Sequence, residues 1–103
     1  MARTSQVDSG SMFPFDETKI KDNVVIREFK KDVDTEELIW HLDREDRQVR
    51  VIKSDGWKLQ LDNELPVNLE SKNTYFIPKY KYHRVIKGNG DLVVEITKLG
   101  DKQ

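Results

Sequence analysis

The chain contains no cysteine. That absence removes disulfides, thiolate metal sites and a cysteine nucleophile, so stability must come from packing and any metal must sit on His, Asp or Glu. An excess of one charge is missing too. The 18 Lys+Arg and 19 Asp+Glu leave a formal net charge of −1, which gives no sequence-wide pull toward phosphate backbones or anionic lipid. No apolar run approaches the length of a membrane span, and residues 1–12 lack the apolar stretch of a secretory signal. The expectation is a soluble cytoplasmic protein that binds neither nucleic acid nor membrane. Hydrophobic residues make up 36% of the chain, no more than the charged ones, which is too little for a thick helical bundle and suits short strands with one buried face each. Area scaling takes a chain of this mass from about 17,500 Å² unfolded to about 6,000 Å² folded, enough for one core but not two.

The first 12 residues are polar and small, without periodicity, and are expected to form a flexible tail ahead of a single domain over 13–103. Phe13-Pro14-Phe15 is a small apolar knot that either anchors on the domain or remains a loose arm. From Val24 onward the chain breaks into short β-type segments: 24–29, 37–43, 47–53, 57–62, 67–70, 74–78, 82–87 and 92–98. Alternation is clearest at Trp57/Leu59/Leu61 and at Leu92/Val94/Ile96. Turn signals lie between them at Ser54-Asp55-Gly56, Asp62-Asn63, Ser71-Lys72-Asn73 and Gly88-Asn89-Gly90, where Asn89-Gly90 favours a tight turn with positive φ. A helical turn over 31–38, capped by Asp34 or Thr35, is too short to define the fold, and a loop is the simpler reading. Evenly spaced strands without a long helix predict an all-β antiparallel sandwich or barrel, of which the jelly roll is one form.

The chain has two histidines, His41 and His83, both inside predicted strands. On a strand His41 and Asp43 point to the same face, roughly 7 Å apart along the backbone. That suits two ligands gripping one ion, with His83 arriving from another strand. Two imidazoles and a carboxylate are the donor set of facial-triad iron sites, and zinc or manganese would also accept it.

These residues carry a resemblance. His41-Leu-Asp43-Arg-Glu-Asp-Arg47, then Ser54-Asp-Gly56, then Ile77-Pro78-Lys-Tyr-Lys-Tyr-His83-Arg84-Val85 look like the two motifs of the cupin family. The resemblance covers about 24–98 and is most specific in the Ile-Pro…His-Arg-Val segment. The whole is most similar to short single-domain cupins of the RmlC-like type, including ones from bacterial virus genomes. It implies a small double-stranded β-helix, or jelly-roll barrel, and often a homodimer built through sheet edges. His41 matches the first motif's first His and Asp43 takes the place of the second. Arg47 stands where the Glu ligand belongs and Ser54 where a Gly would be. In the second motif Pro78 and His83 match, while Tyr80, Lys72 and Lys87 replace two glycines and an Asn.

Arg47 decides how much of the family's chemistry carries over, because a guanidinium stays protonated and cannot bind metal. Either a divalent metal (iron first, manganese or zinc next) sits on His41, Asp43 and His83 and Arg47 holds the carboxylate or phosphate of a small ligand, or Arg47 pairs with Asp43 and the site is a metal-free polar network. A buried ion pair adds little net stability, so an interior Arg kept for packing alone would be surprising.

Other residues have blander readings. Trp57 and Tyr75 are candidate substrate contacts, although aromatics such as these, Phe76 and Tyr82 are more often core or rim. Trp40 and Leu42 lie opposite His41 and suit a second layer or a dimer contact. Lys79 to Arg84 interleaves cations with aromatics, but a strand would split them between two faces. Glu45 and Asp46 read as hydrated turn residues. No phosphate loop exists, and no serine has an adjacent His base.

The leading expectation is a small metal-dependent cupin binding an anionic small molecule, with oxygenation or isomerisation as the reactions the resemblance implies. The alternative is a non-catalytic, metal-free binding or assembly module.

Overall fold

The computed structural model describes residues 15–31 and 38–100. The expected tail over 1–12, the Phe13-Pro14 part of the apolar knot and nearly all of the 31–38 turn lie outside the described residues.

Among the described residues eight strands follow one another: β1 (Phe15–Lys21), β2 (Val24–Phe29), β3 (Asp46–Lys53), β4 (Lys58–Leu61), β5 (Val67–Asn68), β6 (Thr74–Ile77), β7 (His83–Ile86) and β8 (Leu92–Leu99). They form a five-stranded sheet in the order β1-β2-β8-β3-β6 and a three-stranded sheet in the order β5-β4-β7. Every pairing is antiparallel. The fold is all-β, and the two sheets close into a jelly-roll barrel.

Period-two alternation builds the interior. On β2 the residues Val25, Arg27 and Phe29 share the inward face, and on β8 Leu92, Val94 and Ile96 do the same. Val49 and Val51 of β3 join them, and Trp57, Leu59, Leu69 and Val85 face them from the smaller sheet. Burying each such side chain is worth about 1.5–3 kcal/mol relative to exposure, so the aliphatic faces hold the sheets together without cross-links. Trp57 lies beside the turn that carries Gly90. It is fully buried, tilts against Phe29 at 6.0 Å between ring centroids and donates its indole N–H to Gly90 O at 2.7 Å.

Three expectations need correction. β1 lies ahead of Val24, where no strand is predicted, in a stretch that Asp, Glu and Lys dominate. It forms since β2 offers a full row of backbone partners, from Phe15↔Phe29 to Lys21↔Val24, and charged side chains suit a sheet edge. The expected strand over 37–43 is reduced, among its described residues, to a single bridge between His41 and His83. Beyond that bridge the Asp43 carbonyl accepts from Tyr80 N, and the segment continues into β3. Finally, positive φ occurs at Gly56, Asn63, Lys72 and Tyr80, not at Asn89 or Gly90. The Gly88–Gly90 turn needs glycine for proximity: Asn89 N and Gly90 N both donate to Asp55 O, and a Cβ on Gly88 would stand 2.3 Å from that oxygen.

Candidate metal centre

β7 begins at His83, and its alternation turns His83 and Val85 inward and Arg84 and Ile86 outward. Reciprocal backbone bonds, His41 N to His83 O at 3.0 Å and His83 N to His41 O at 2.8 Å, lock the 38–43 segment beside β7. The imidazoles therefore meet, with ring centroids 4.3 Å apart. On the other side of this segment the Trp40 ring stacks on the Arg84 guanidinium at 4.9 Å.

Asp43 is held by its backbone. Its carbonyl accepts from Tyr80 N at 2.8 Å, while Asp46 Oδ1 accepts from Lys79 N at 2.7 Å, so the loop after Pro78 is pinned across the entry to β3. Tyr80 has φ +63° and Lys72 +75°. Both therefore hold left-handed turns without glycine, the residue that adopts them most cheaply.

Among the described residues, His41, Asp43 and His83 offer one ligand atom each within 4.8 Å of one another. His83 is buried, and the Asp43 carboxylate is mostly so. His41 Nδ1 lies 2.7 Å from Ile39 O and His83 Nδ1 lies 2.8 Å from Lys81 O. A carbonyl only accepts, so Nδ1 carries the proton on both rings and Nε2 is the lone-pair nitrogen of each neutral imidazole. This is the arrangement that orients metal-binding histidines. His83 Nε2 faces Asp43 Oδ2 at 3.3 Å. The donor set therefore fits a divalent ion after modest closure, because atoms about 2.1 Å from a common metal stand roughly 3–3.5 Å apart.

Arg47 enters the same space from β3. Its Nε and Nη2 donate to Glu45 Oε2 at 3.0 and 2.8 Å, and Nη1 lies 3.5 Å from Asp43 Oδ2. Glu45 and Asp46 are thus structural acceptors, not hydrated turn residues: one fixes Arg47 and the other fixes Lys79. Burial pushes the Asp43 carboxyl up, but its contact with His83 and the charge of the Arg47 guanidinium outweigh this and hold it below the usual carboxylate range.

A cavity of about 50 Å³ opens beside these groups, lined by Asp43, Arg47 and His83 together with Arg27 and aliphatic side chains. Neither Trp57 nor Tyr75 lines it. Trp57 is spent on the core, and the Tyr75 hydroxyl donates to Asn68 O and accepts from Glu70 N. Arg27 escaped the sequence reading, although its place between Val25 and Phe29 on an apolar face was a legible signal. Outside the cavity Trp40, Leu42, Tyr80 and Tyr82 are exposed.

No protein-family model matches the chain, and no curated protein sequence matches it. Solved structures do. A cupin domain from Bordetella pertussis Tohama I aligns over 84% of this chain and 94% of its own, with TM-score 0.59 and 18% identity. An RmlC-like cupin from Methanocaldococcus jannaschii with a double-stranded β-helix aligns over 84% and 78%, with TM-score 0.62 and 16% identity. The fold is the cupin fold. A DMSP lyase of Ruegeria pomeroyi DSS-3 also shares it, with TM-score 0.67 and 11% identity over 93% of this chain. This chain spans 53% of that enzyme and 40% of another chain from a DMSP lyase study. Such divergence carries the architecture and leaves activity to be argued from the site.

Proposed function

We propose that this cupin holds a divalent metal, iron in the first instance, on His41, Asp43 and His83 and takes a small anionic molecule into the barrel, with Arg47 facing the ligand. The observation that supports this most directly is the 3.3 Å approach of His83 Nε2 to Asp43 Oδ2. With Nδ1 bonded to a carbonyl, His83 turns Nε2 toward the Asp43 carboxylate, and a metal ion held between the two would take one ligand atom from each. A divalent ion there supplies a Lewis acid with open positions for a ligand, the chemistry on which oxygenation or isomerisation draws. The chain's own residues fix the two Nε2 lone pairs, keep Asp43 ionised and place a fixed positive charge beside it.

A second reading is a metal-free polar network that serves binding or assembly, with dimerisation through the exposed Trp40 and Leu42 face. The observation in its favour is the Arg47 Nη1 to Asp43 Oδ2 contact. That contact is single and long rather than bidentate, and it leaves the cavity beside it open. One experiment separates the two. The untagged protein is reloaded with Fe(II), Mn(II) or Zn(II), and bound metal is measured by elemental analysis alongside His41→Ala and Asp43→Asn. One ion per chain, lost in both variants, is expected. No stoichiometric metal in the parent protein would establish the closed network instead.

A further inference from the structure

Arg47 stands between two carboxylates, and the structure shows which of them holds it. It enters on β3 ahead of the inward Val49 and Val51, and its side chain is 14% exposed, as deeply placed as Asp43 and deeper than Glu45 at 25%. Nε and Nη2 both donate to Glu45 Oε2, at 3.0 and 2.8 Å. Nη1 stops 3.5 Å short of Asp43 Oδ2, a buried oxygen that accepts no hydrogen bond. The carboxylate nearer the solvent therefore has the guanidinium, and the one in the donor set does not.

This asymmetry keeps the centre open. A charge-assisted bond between a guanidinium and a carboxylate is roughly 2.7–2.9 Å long, and two in parallel make the strong fork. To close on Asp43 in that way, Arg47 would have to stretch both of its bonds to Glu45. Take Glu45 away and the balance changes. A largely desolvated guanidinium would be left with one long contact, and an uncompensated buried charge is strongly unfavourable. Its remedy is to turn onto Asp43, the carboxylate already in reach, which covers the oxygens that a metal needs. The open centre and the closed network are thus two places for one side chain.

We infer that Glu45 is a positioning residue: by holding Arg47 back from Asp43 it keeps the His41, Asp43 and His83 donor set open to a divalent ion. This rests on the metal reading above and deepens it by naming the residue that governs access to the site. It also separates two effects of the same carboxylate. As a nearby negative charge, Glu45 favours a cation whatever stands at position 47. As a tether it acts only through the guanidinium, so its effect must vanish when Arg47 is gone.

The test is a calorimetric titration of the full, untagged chain with Zn(II) alone, in the parent, Glu45→Ala, Arg47→Met and the double variant. Glu45→Ala should weaken Zn(II) binding at least about tenfold, the worth of roughly one charge-assisted hydrogen bond that the ion must now break. In the Arg47→Met background the same change should cost less than about threefold, the reach of a partly exposed charge. Glu45→Gln keeps an acceptor oxygen without the charge and should fall between, which serves where Glu45→Ala folds poorly. In the metal-free chain, the coupling between Asp43→Asn and Arg47→Met in urea midpoints should be larger with Glu45→Ala than without it. An equal loss of Zn(II) affinity with and without Arg47, no loss in the parent background, or an unchanged metal-free coupling would overturn the inference and leave the metal reading standing. A parent chain without stoichiometric Zn(II) would overturn the metal reading, and with it the role drawn for Glu45.

Discussion

Replacing Gly88 with alanine tests whether the Gly88–Gly90 turn is seated on Asp55–Trp57 by direct backbone contact. A Cβ at this position would stand 2.3 Å from Asp55 O, 2.5 Å from Gly56 C and 2.6 Å from Trp57 N. All three are backbone atoms of the opposing turn, so no side-chain rotation relieves them. The turns must separate, which breaks the 2.8 Å bond from Asn89 N to Asp55 O and the 2.7 Å bond from Trp57 Nε1 to Gly90 O. Those bonds are worth about 1 kcal/mol each, and forcing a packed interior apart around a fully buried Trp57 costs another 1–3 kcal/mol or so. The expected loss is about 3–5 kcal/mol, which for a domain of this size lowers Tm by at least ~12 °C. Urea denaturation followed by Trp fluorescence gives the free energy. Two further glycines calibrate the reasoning. At Gly90 the new Cβ meets the Asp55 carboxylate at 2.9 Å and its Cβ at 3.0 Å, so a loss of about 1–2 kcal/mol is expected. At Gly100 nothing lies within 4 Å, and the change should stay within about 0.5 kcal/mol. A Gly88→Ala protein within 1 kcal/mol or so of the parent, or as stable as Gly100→Ala, would refute the account.

Lys72→Gly should raise Tm by about 2–4 °C, because it removes a left-handed strain of about 1–2 kcal/mol and returns only part of that as chain entropy; Lys72→Ala, which keeps the Cβ, should not. Asp43 titrates below its unfolded value of ~3.9, so its contribution to stability is present above that pH and is lost as pH falls through the lower folded value. Urea midpoints of the metal-free protein between pH 5 and 2 should accordingly fall less steeply in Asp43→Asn than in the parent, over a range of roughly that width. Val51→Ala, at a fully buried position where β3 meets β8, should cost about 2–3 kcal/mol in the same assay without changing metal stoichiometry.

What was legible in the sequence follows from which signals are local. Strands with one buried face announce themselves, and β2 and β8 appear where Val24–Phe29 and Leu92–Leu99 alternate. β1 does not, because an edge strand needs no apolar face of its own and borrows its order from β2. The convergence of His41, Asp43 and His83 was foreseen through a strand that scarcely exists; what brings them together is one two-bond bridge and the Tyr80 N to Asp43 O bond. Ion pairs were the least legible. Whether Arg47 turns to Asp43 or Glu45 is set by side-chain torsions that no pattern of residue types encodes, and the structure divides the guanidinium between them.

That division bears on how metal and folding are coupled. An anionic fourth ligand in place of Arg47 would crowd carboxylates together in the metal-free chain, and their repulsion would tie folding to the ion. Arg47 reverses the sign of the problem: Asp43 has a cation 3.5 Å away before any metal arrives. The aliphatic interior can then close without the ion, since Val49, Val94 and Ile96 pack beside the site and not through it. An ion bound there would in turn have to compete with Arg47 for Asp43, which would lower its affinity and leave the centre exchangeable. Metal should therefore raise stability only by mass action, about 2.7 kcal/mol at a hundredfold excess over Kd, and not as an all-or-none condition of folding. A chain that unfolded on chelation would show that the guanidinium does not stand in for the ion.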